Sequence, residues 1–135
     1  MVNVIVGQKG SGKTKELIEA IQSAEKTENG AIVCIEKGNS LRYDVSYRVR
    51  LVDAEEYQIS NFDLLTGFVS GLHAGNFDIT HIFIDNLYKL LKNDRALAAE
   101  FCAWCERFGA RNSINFTLAV SDSPENVDEA MRKYL

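Results

Sequence analysis

The sequence predicts an α/β fold, a three-layer αβα sandwich built around a mostly parallel five-stranded sheet. Short runs of β-branched and apolar residues alternate with longer segments in which apolar residues recur at helical spacing. Turn signals such as Asn29-Gly30 separate the two kinds of segment. The length of 135 residues is usual for one domain. Because strands that alternate with helices form parallel sheets covered on both faces, we expect a single domain over residues 1–135.

The first half of the chain supplies three strands and one helix. Residues 2–6 are a short β-branched run, and residues 13–26 carry an apolar stripe along one helical face. A second apolar strand is predicted at 31–36. After the polar stretch 37–47, a weaker strand is predicted at about 48–53.

The second half supplies two strands and three helices. The pattern predicts a helix around 60–73, a strand at 80–85, a long helix at 93–110 and a strand at 114–121. A terminal helix is expected to open at Ser123-Pro124, because proline is favoured in the first turn. The other helix ends are marked by candidate caps and a glycine: Ser60 or Asn61, Gly75 and Asn93.

The position of each strand in the sheet bears on where a ligand would bind. We expect strand 2–6 in the middle of the sheet, between strand 80–85 and strand 114–121 or one position removed. Open parallel sheets bind ligands beyond the carboxyl ends of their strands. Side chains that follow strands 2–6, 31–36, 80–85 and 114–121 are therefore the candidates for function.

Composition favours a cytoplasmic protein with no membrane segment. The net charge is −4, 25% of residues are charged, and no apolar run approaches the 18 residues needed to span a bilayer. The acidic balance argues against a nucleic-acid partner. The densest basic set, Arg42, Arg48 and Arg50, could supply a cation to a transferring phosphate, but solvated charge on a loop and strand edge is the simpler interpretation.

The three cysteines are interpreted as reduced thiols. Cys102 and Cys105 are three residues apart, which raises a zinc or redox alternative, but no second pair of ligands accompanies them and both histidines are isolated. On a helix these two cysteines lie near the apolar face, so we expect them in the core beside Phe101, Trp104 and Phe108.

The clearest motif follows the first strand. The loop reads Gly7-Gln8-Lys9-Gly10-Ser11-Gly12-Lys13-Thr14 and matches G-x-x-x-x-G-K-[ST] without a departure. Glycines let successive backbone N–H groups point into one anion-sized hollow, and the following helix adds its N-terminal dipole. Lys13 would reach the β- and γ-phosphates, and the Thr14 hydroxyl would ligate Mg²⁺. The alternative is a glycine-rich turn with no ligand.

The second motif is an apolar strand, Ile82-Phe83-Ile84, that ends in Asp85. A Walker B element needs a carboxylate at a strand tip, where it holds Mg²⁺ or the water around it. We therefore expect Thr14 and Asp85 to meet at one Mg²⁺, although many buried strands also end in Asp without binding metal.

Together the two motifs resemble the P-loop NTPase superfamily, and the extra strands between them resemble its RecA-type branch. The whole chain is similar to short stand-alone bacterial P-loop proteins that share the Cys-Ile-Glu-Lys-Gly segment at 34–38 and the Val-Ser at 120–121. Members are sometimes labelled twitching-motility or thymidine-kinase-like ATPases. The resemblance implies a P-loop NTPase fold, ATP as ligand and Mg²⁺ as cofactor.

Departures from the branch concern catalysis. RecA-type ATPases usually place a Glu at or after the Walker B Asp, and here the next residue is Asn86. Glu36, at the tip of the second strand, is the best substitute base, with a surface carboxylate as the alternative. Ser121 would sense the γ-phosphate or act as a capping hydroxyl. Lys13, Asp85 and Glu36 are therefore the candidate catalytic residues.

Three functions remain open at this stage. The first is a slow Mg²⁺-dependent ATPase (a hydrolase) or ATP-controlled switch, with an unknown protein partner and oligomeric state. The second is a small-molecule kinase of the nucleoside type, against which the short chain argues. The third is a nucleotide-binding regulatory module without catalysis. ATP is favoured over GTP because no Asn-Lys-x-Asp element follows.

Overall fold

The structure, a computed structural model, describes residues 1–135 and contains one five-stranded sheet. The strands are β1 (Val2–Gly7), β2 (Ala31–Glu36), β3 (Val49–Asp53), β4 (Ile79–Ile84) and β5 (Asn115–Ser121). The helices are α1 (Lys13–Thr27), α2 (Phe62–Gly75), α3 (Leu87–Leu90) and α4 (Arg95–Asn112), and a 3₁₀ helix covers Glu129–Tyr134. Every strand pairing is parallel. The predicted α/β class is confirmed, with a sheet that is wholly rather than mostly parallel.

Helices cover both faces of the sheet. On one face, Leu17 and Ile21 of α1 are fully buried in a cluster with Cys34 and Phe83 of the sheet. On the other face, α2 and α4 bury apolar side chains in a larger cluster that includes Phe116 of β5. Burial on both faces explains why the strands read as continuous apolar runs.

The sheet order is β1-β5-β4-β2-β3, which corrects the expected position of the first strand. Strand β1 lies at an edge rather than in the middle, and β5 lies between it and β4. The strand tips of β1, β5 and β4 are nevertheless consecutive. Residues that follow these strands are therefore neighbours at one edge of the molecule.

Helix ends agree with the sequence prediction at α2 and differ at α4. The Asn61 side chain accepts a hydrogen bond from the Leu64 amide at 2.8 Å and caps α2, which ends at Gly75 as expected. The N-cap of α4 is Asp94, which accepts from the Leu97 amide, rather than the predicted Asn93, so the helix begins at Arg95. The short helix α3 is absent from the sequence prediction.

The predicted terminal helix at Ser123-Pro124 is wrong. Ser123 is buried and its carbonyl accepts from the Asn126 amide at 3.0 Å, so proline lies in a turn. Helical structure begins only after Asp128, whose side chain accepts from the Ala130 amide at 2.9 Å. The capping carboxylate, rather than the proline, sets where this 3₁₀ helix starts.

Cysteine and aromatic positions on α4 follow the prediction. Cys102 and Cys105 are fully buried and unbonded to each other, and burial raises the pKa of the Cys102 thiol to about 12. Phe101 is buried as well, and Trp104 stacks between it and Phe108 against the core. None of the helices is both long enough and apolar enough to span a bilayer.

Candidate functional site

The loop between β1 and α1 takes a conformation that needs its glycines. Gly10 and Gly12 have φ angles of 87° and 89°, in the left-handed region that side chains disfavour. A Cβ at Gly7 would collide with the Ser11 side chain. Gly12 is also the N-cap of α1, and no side chain caps the helix there. The first amides of α1 therefore remain available to an anion.

A cavity of about 550 Å³ lies in front of this loop, beyond the carboxyl ends of β1, β4 and β5. The loop contributes six of its eight predicted residues to the lining: Gln8, Lys9, Gly10, Gly12, Lys13 and Thr14. Ser40, Asp85, Asn86, Lys89 and Ser121 complete it, and no lining residue is hydrophobic. The site assigned from two distant motifs thus falls on one polar cavity.

Lys13 links the loop to the tips of two other strands. Its ammonium donates a hydrogen bond to the Ser121 hydroxyl at 2.9 Å and lies 4.0 Å from Oδ1 of Asp85. Less than a tenth of either the Lys13 or the Asp85 side chain is exposed. A positive charge is therefore held where β1, β4 and β5 end.

Asp85 is buried directly after β4 and keeps one carboxylate oxygen unused. Oδ1 accepts from the Asn86 amide at 2.8 Å and faces Lys13, whereas Oδ2 makes no hydrogen bond. Thr14 lines the same cavity. A carboxylate and a hydroxyl are hard oxygen ligands, and Mg²⁺ is commonly held by one or two such groups with waters and phosphate oxygens. These two residues therefore fit a Mg²⁺ site, and no group of three or more acidic, His or Cys side chains competes as a metal centre.

Glu36 is not a surface carboxylate, contrary to one of the two interpretations from the sequence. It is 1% exposed, and Oε1 accepts from the Ser40 amide at 3.1 Å and from the Ser40 hydroxyl at 2.8 Å. Oε2 accepts from the Leu41 amide at 3.1 Å. Glu36 itself does not line the cavity, but Ser40 does. Its carboxylate thus holds the segment after β2 against the cavity, and its role as a base stays a prediction.

Lys89 and Ser40 line the cavity although sequence reasoning did not select them. Each follows a strand-end carboxylate by four residues, Lys89 after Asp85 and Ser40 after Glu36. The rule that strand ends face a common ligand edge could have pointed to both segments. Nothing local in the sequence says which residue of each segment turns inward.

A second carboxylate beside the site, Asp122, was missed entirely. It is buried and accepts from Arg95 at 2.8 and 3.0 Å, from the Tyr88 hydroxyl at 2.6 Å and from the Ser123 amide at 2.9 Å. Its own amide donates to the Gly7 carbonyl at 3.3 Å. The Arg95 hydrogen bonds, with help from Tyr88, lower the pKa of Asp122 from 3.8 to about 2.

The three arginines singled out by the sequence lie away from the cavity. Arg42, Arg48 and Arg50 are all exposed, and none lines the cavity. The Arg42 guanidinium lies 4.6 Å from the centre of the Tyr43 ring. The interpretation as solvated charge is confirmed.

The sequence indicates an isolated His81, but in the structure it contacts two polar side chains. Its Nδ1 lies 2.7 Å from Oε2 of Glu28, at the end of α1, and its Nε2 lies 2.9 Å from the Thr117 hydroxyl of β5. Burial lowers the pKa of His81 and outweighs the opposing effect of Glu28. A neutral ring that donates to Oε2 of Glu28 and accepts from the Thr117 hydroxyl uses both ring nitrogens, whereas Oε1 of Glu28 is buried without a hydrogen-bond partner.

A larger cavity of about 650 Å³ lies at the opposite end of the sheet. Its lining includes Asn29, Phe77 and Asp78 but no lysine or arginine. Size alone therefore does not favour it. The cavity at the Gly7–Thr14 loop combines cations, backbone amides and a carboxylate, which is the chemistry a phosphate with a metal requires.

No protein-family model matches the sequence, and no curated protein matches it.

Proposed function

We propose that this protein binds Mg²⁺-ATP at the Gly7–Thr14 loop and acts as a slow ATPase or an ATP-controlled switch. The observation that carries the proposal is one polar cavity lined by Lys13, Thr14, Asp85 and Ser121, in front of the uncapped start of α1. The cation, the hydroxyl, the carboxylate and the free amides are the groups that phosphoryl-binding loops use. The resemblance to P-loop NTPases supports the same assignment.

Each side chain has a distinct part in the proposal. Lys13 balances the negative charge of the β- and γ-phosphates, and the amides around Gly10 and Gly12 surround the phosphate chain. Thr14 and Asp85 hold Mg²⁺, which would neutralise charge on the phosphate oxygens. Ser121 already contacts Lys13 at 2.9 Å, so it is suited to respond when a γ-phosphate competes for that ammonium.

The lining also supports slow turnover. Asp85 is the one carboxylate among the lining residues, and the proposal gives it to the metal. Both carboxylate oxygens of Glu36 accept hydrogen bonds from the segment after β2. No carboxylate of the cavity is left to orient an attacking water, which is the group that general-base catalysis needs.

Titration calorimetry with ATP and GTP, each with and without Mg²⁺, tests the assignment. We expect Lys13→Ala to weaken ATP binding by about tenfold or more, because a hydrogen bond to a charged group contributes about 1.5–3 kcal/mol. Lys15→Ala is the matched control, since Lys15 is exposed on the same helix and does not line the cavity. Equal ATP affinity in both variants would contradict the proposal.

A further inference from the structure

A second, smaller cavity lies beside the one at the Gly7–Thr14 loop. It has a volume of about 380 Å³, and its floor is formed by the buried residues Ala54 and Ile59. Its polar rim consists of Lys37, Glu55, Gln58, Ser60 and Lys89. Lys89 lines both cavities, so the two share one cation.

The rim is built by one carboxylate that ties two segments together. Oδ1 of Asp53 accepts from the Gly38 amide at 2.8 Å and from the Glu55 amide at 2.9 Å. The turn beyond it is closed by the Ile59 amide, which donates to the Ala54 carbonyl at 2.9 Å. Gln58 has a φ of 56°, in the left-handed region that residues with a side chain disfavour. The turn therefore keeps Gln58 at the rim in an unfavourable backbone conformation.

The rim of this cavity carries two lysines and one carboxylate, Glu55, so its net charge is +1. Neither Lys37 nor Lys89 forms an ion pair, although the protein as a whole carries a net charge of −4. Two ammonium groups without an ion-pair partner outweigh the single carboxylate, so the rim favours an anion. The nearby Gln58 amide and Ser60 hydroxyl can exchange hydrogen bonds with hydroxyl groups.

We infer that this cavity is a second ligand subsite, which takes the phosphate monoester of a small polyhydroxy compound. Lys37 and Lys89 bind the phosphate, and Gln58 and Ser60 bind hydroxyl groups. The volume is at the lower end of the range for small-molecule sites, which fits a ligand of sugar-phosphate size. The inference rests on the proposed nucleotide function only for the identity of the neighbouring ligand, which Lys89 would contact from the other side.

Amide NMR of the full chain tests the subsite with ribose 5-phosphate as probe and saturating Mg²⁺-ADP in the first cavity. We expect ribose 5-phosphate to shift the amides of Gly38, Glu55 and Gln58, and ribose alone to leave them unmoved. Lys37→Gln should lower the affinity for ribose 5-phosphate by about tenfold or more and leave ADP affinity unchanged, because Lys37 lines only the second cavity. Lys26→Gln, at an exposed lysine that belongs to neither lining, should change neither affinity.

The two proposals fail in different ways. If ADP does not bind but the probe still shifts the amide signals of Gly38 and Glu55, the nucleotide assignment is contradicted and the subsite is supported. If the probe shifts only the amides of Gly10 and Gly12, or shifts none, the subsite is overturned. It is also overturned if Lys37→Gln, with an amide spectrum that shows a folded protein, binds the probe as tightly as the original chain.

Discussion

The ammonium of Lys13 and the hydroxyl of Ser121 are hydrogen-bonded at 2.9 Å across 108 positions of sequence. This contact joins the start of α1 to the tip of β5, and Asp85 at the tip of β4 lies 4.0 Å from the same ammonium. The three groups therefore form one electrostatic unit before any ligand is considered. An incoming phosphate would have to compete with Ser121 for Lys13, which makes the position of Lys13 a direct reporter of occupancy.

The first prediction concerns the metal. Asp85→Asn should remove the enhancement of ATP binding by Mg²⁺ and leave metal-free binding nearly unchanged, because the amide loses the charge that favours a divalent cation. Titration calorimetry at increasing Mg²⁺ measures this. Asp44→Asn, at an exposed loop carboxylate, is the control. Mg²⁺ enhancement that survives in Asp85→Asn would remove Asp85 from the metal site.

The second prediction concerns turnover. We expect phosphate release well below the median enzyme rate of about 10 s⁻¹, since a missing assisting group costs about 10²–10⁴-fold. A steady-state phosphate assay on the isolated protein measures it. Release at ordinary enzyme rates would show that a base has been overlooked.

Glu36→Gln separates the two roles open to Glu36. Because its oxygens hold Ser40 and Leu41, we expect the free energy of unfolding to fall by about 1–3 kcal/mol and turnover per folded molecule to persist. Chemical denaturation and the phosphate assay report the two quantities separately. A loss of turnover of about 10²-fold at unchanged stability would instead assign Glu36 as the base.

The third prediction concerns the Asp122 network. Tyr88→Phe should destabilise the protein by about 1.5–3 kcal/mol, because it removes a hydrogen bond to a buried carboxylate. Tyr43→Phe is the matched control, since Tyr43 is 84% exposed. Urea denaturation of both variants measures the difference, and equal midpoints would show that Arg95 and the Ser123 amide satisfy Asp122 without Tyr88.

The same network has a defined pH dependence. The pKa of Asp122 is lowered in the folded state, so its stabilisation is present above the unfolded value of 3.8 and is lost as the pH falls towards about 2. The Tyr88→Phe variant loses one of the hydrogen bonds that lower the pKa of Asp122 but keeps those from Arg95. Stability measured between pH 4 and 2 should therefore fall less steeply in the variant than in the original chain.

The fourth prediction concerns His81. Burial lowers its pKa below 6.5, and a group that binds protons more weakly when folded contributes stability above 6.5 that is lost as the pH falls through the folded value. NMR titration of the imidazole carbon-bound protons should give a midpoint below 6.5. A midpoint above 6.5 would mean that the 2.7 Å contact with Glu28 outweighs burial.

Local patterns were sufficient to locate the strands and to select most of the residues that line the cavity at the Gly7–Thr14 loop. The strand predicted at 31–36 is β2 to the residue. The loop residues and Asp85 follow strands that the sequence located, and Ser121 is the last residue of another. Parallel pairing then brings these residues together, because carboxyl ends of parallel strands share one edge. The motif spacing thus carried information about three-dimensional neighbours.

Long-range pairing and competing helix caps account for the differences between the predicted and the observed structure. The edge position of β1 depends on which strand β5 joins, and no local pattern encodes that choice. Tyr88 and Asp122 are 34 residues apart, so their contact has no signature in a short window. At Ser123-Pro124 the proline is compatible with either a helix start or a turn. The structure has a turn there, directly after the buried residues Asp122 and Ser123.

The edge position of β1 has a consequence for the order of folding. Strand β1 pairs with β5 alone, from Val2 with Phe116 to Gly7 with Ser121. A chain shortened before residue 115 would retain the whole Gly7–Thr14 motif yet leave its strand without a sheet to join. Closing a loop of more than a hundred residues is slow compared with forming a helix or a local turn. The Gly7–Thr14 loop is thus expected to take its place at the sheet among the last features to assemble. If the loop binds ATP as proposed, recovery of ATP binding during refolding should lag behind recovery of helix content.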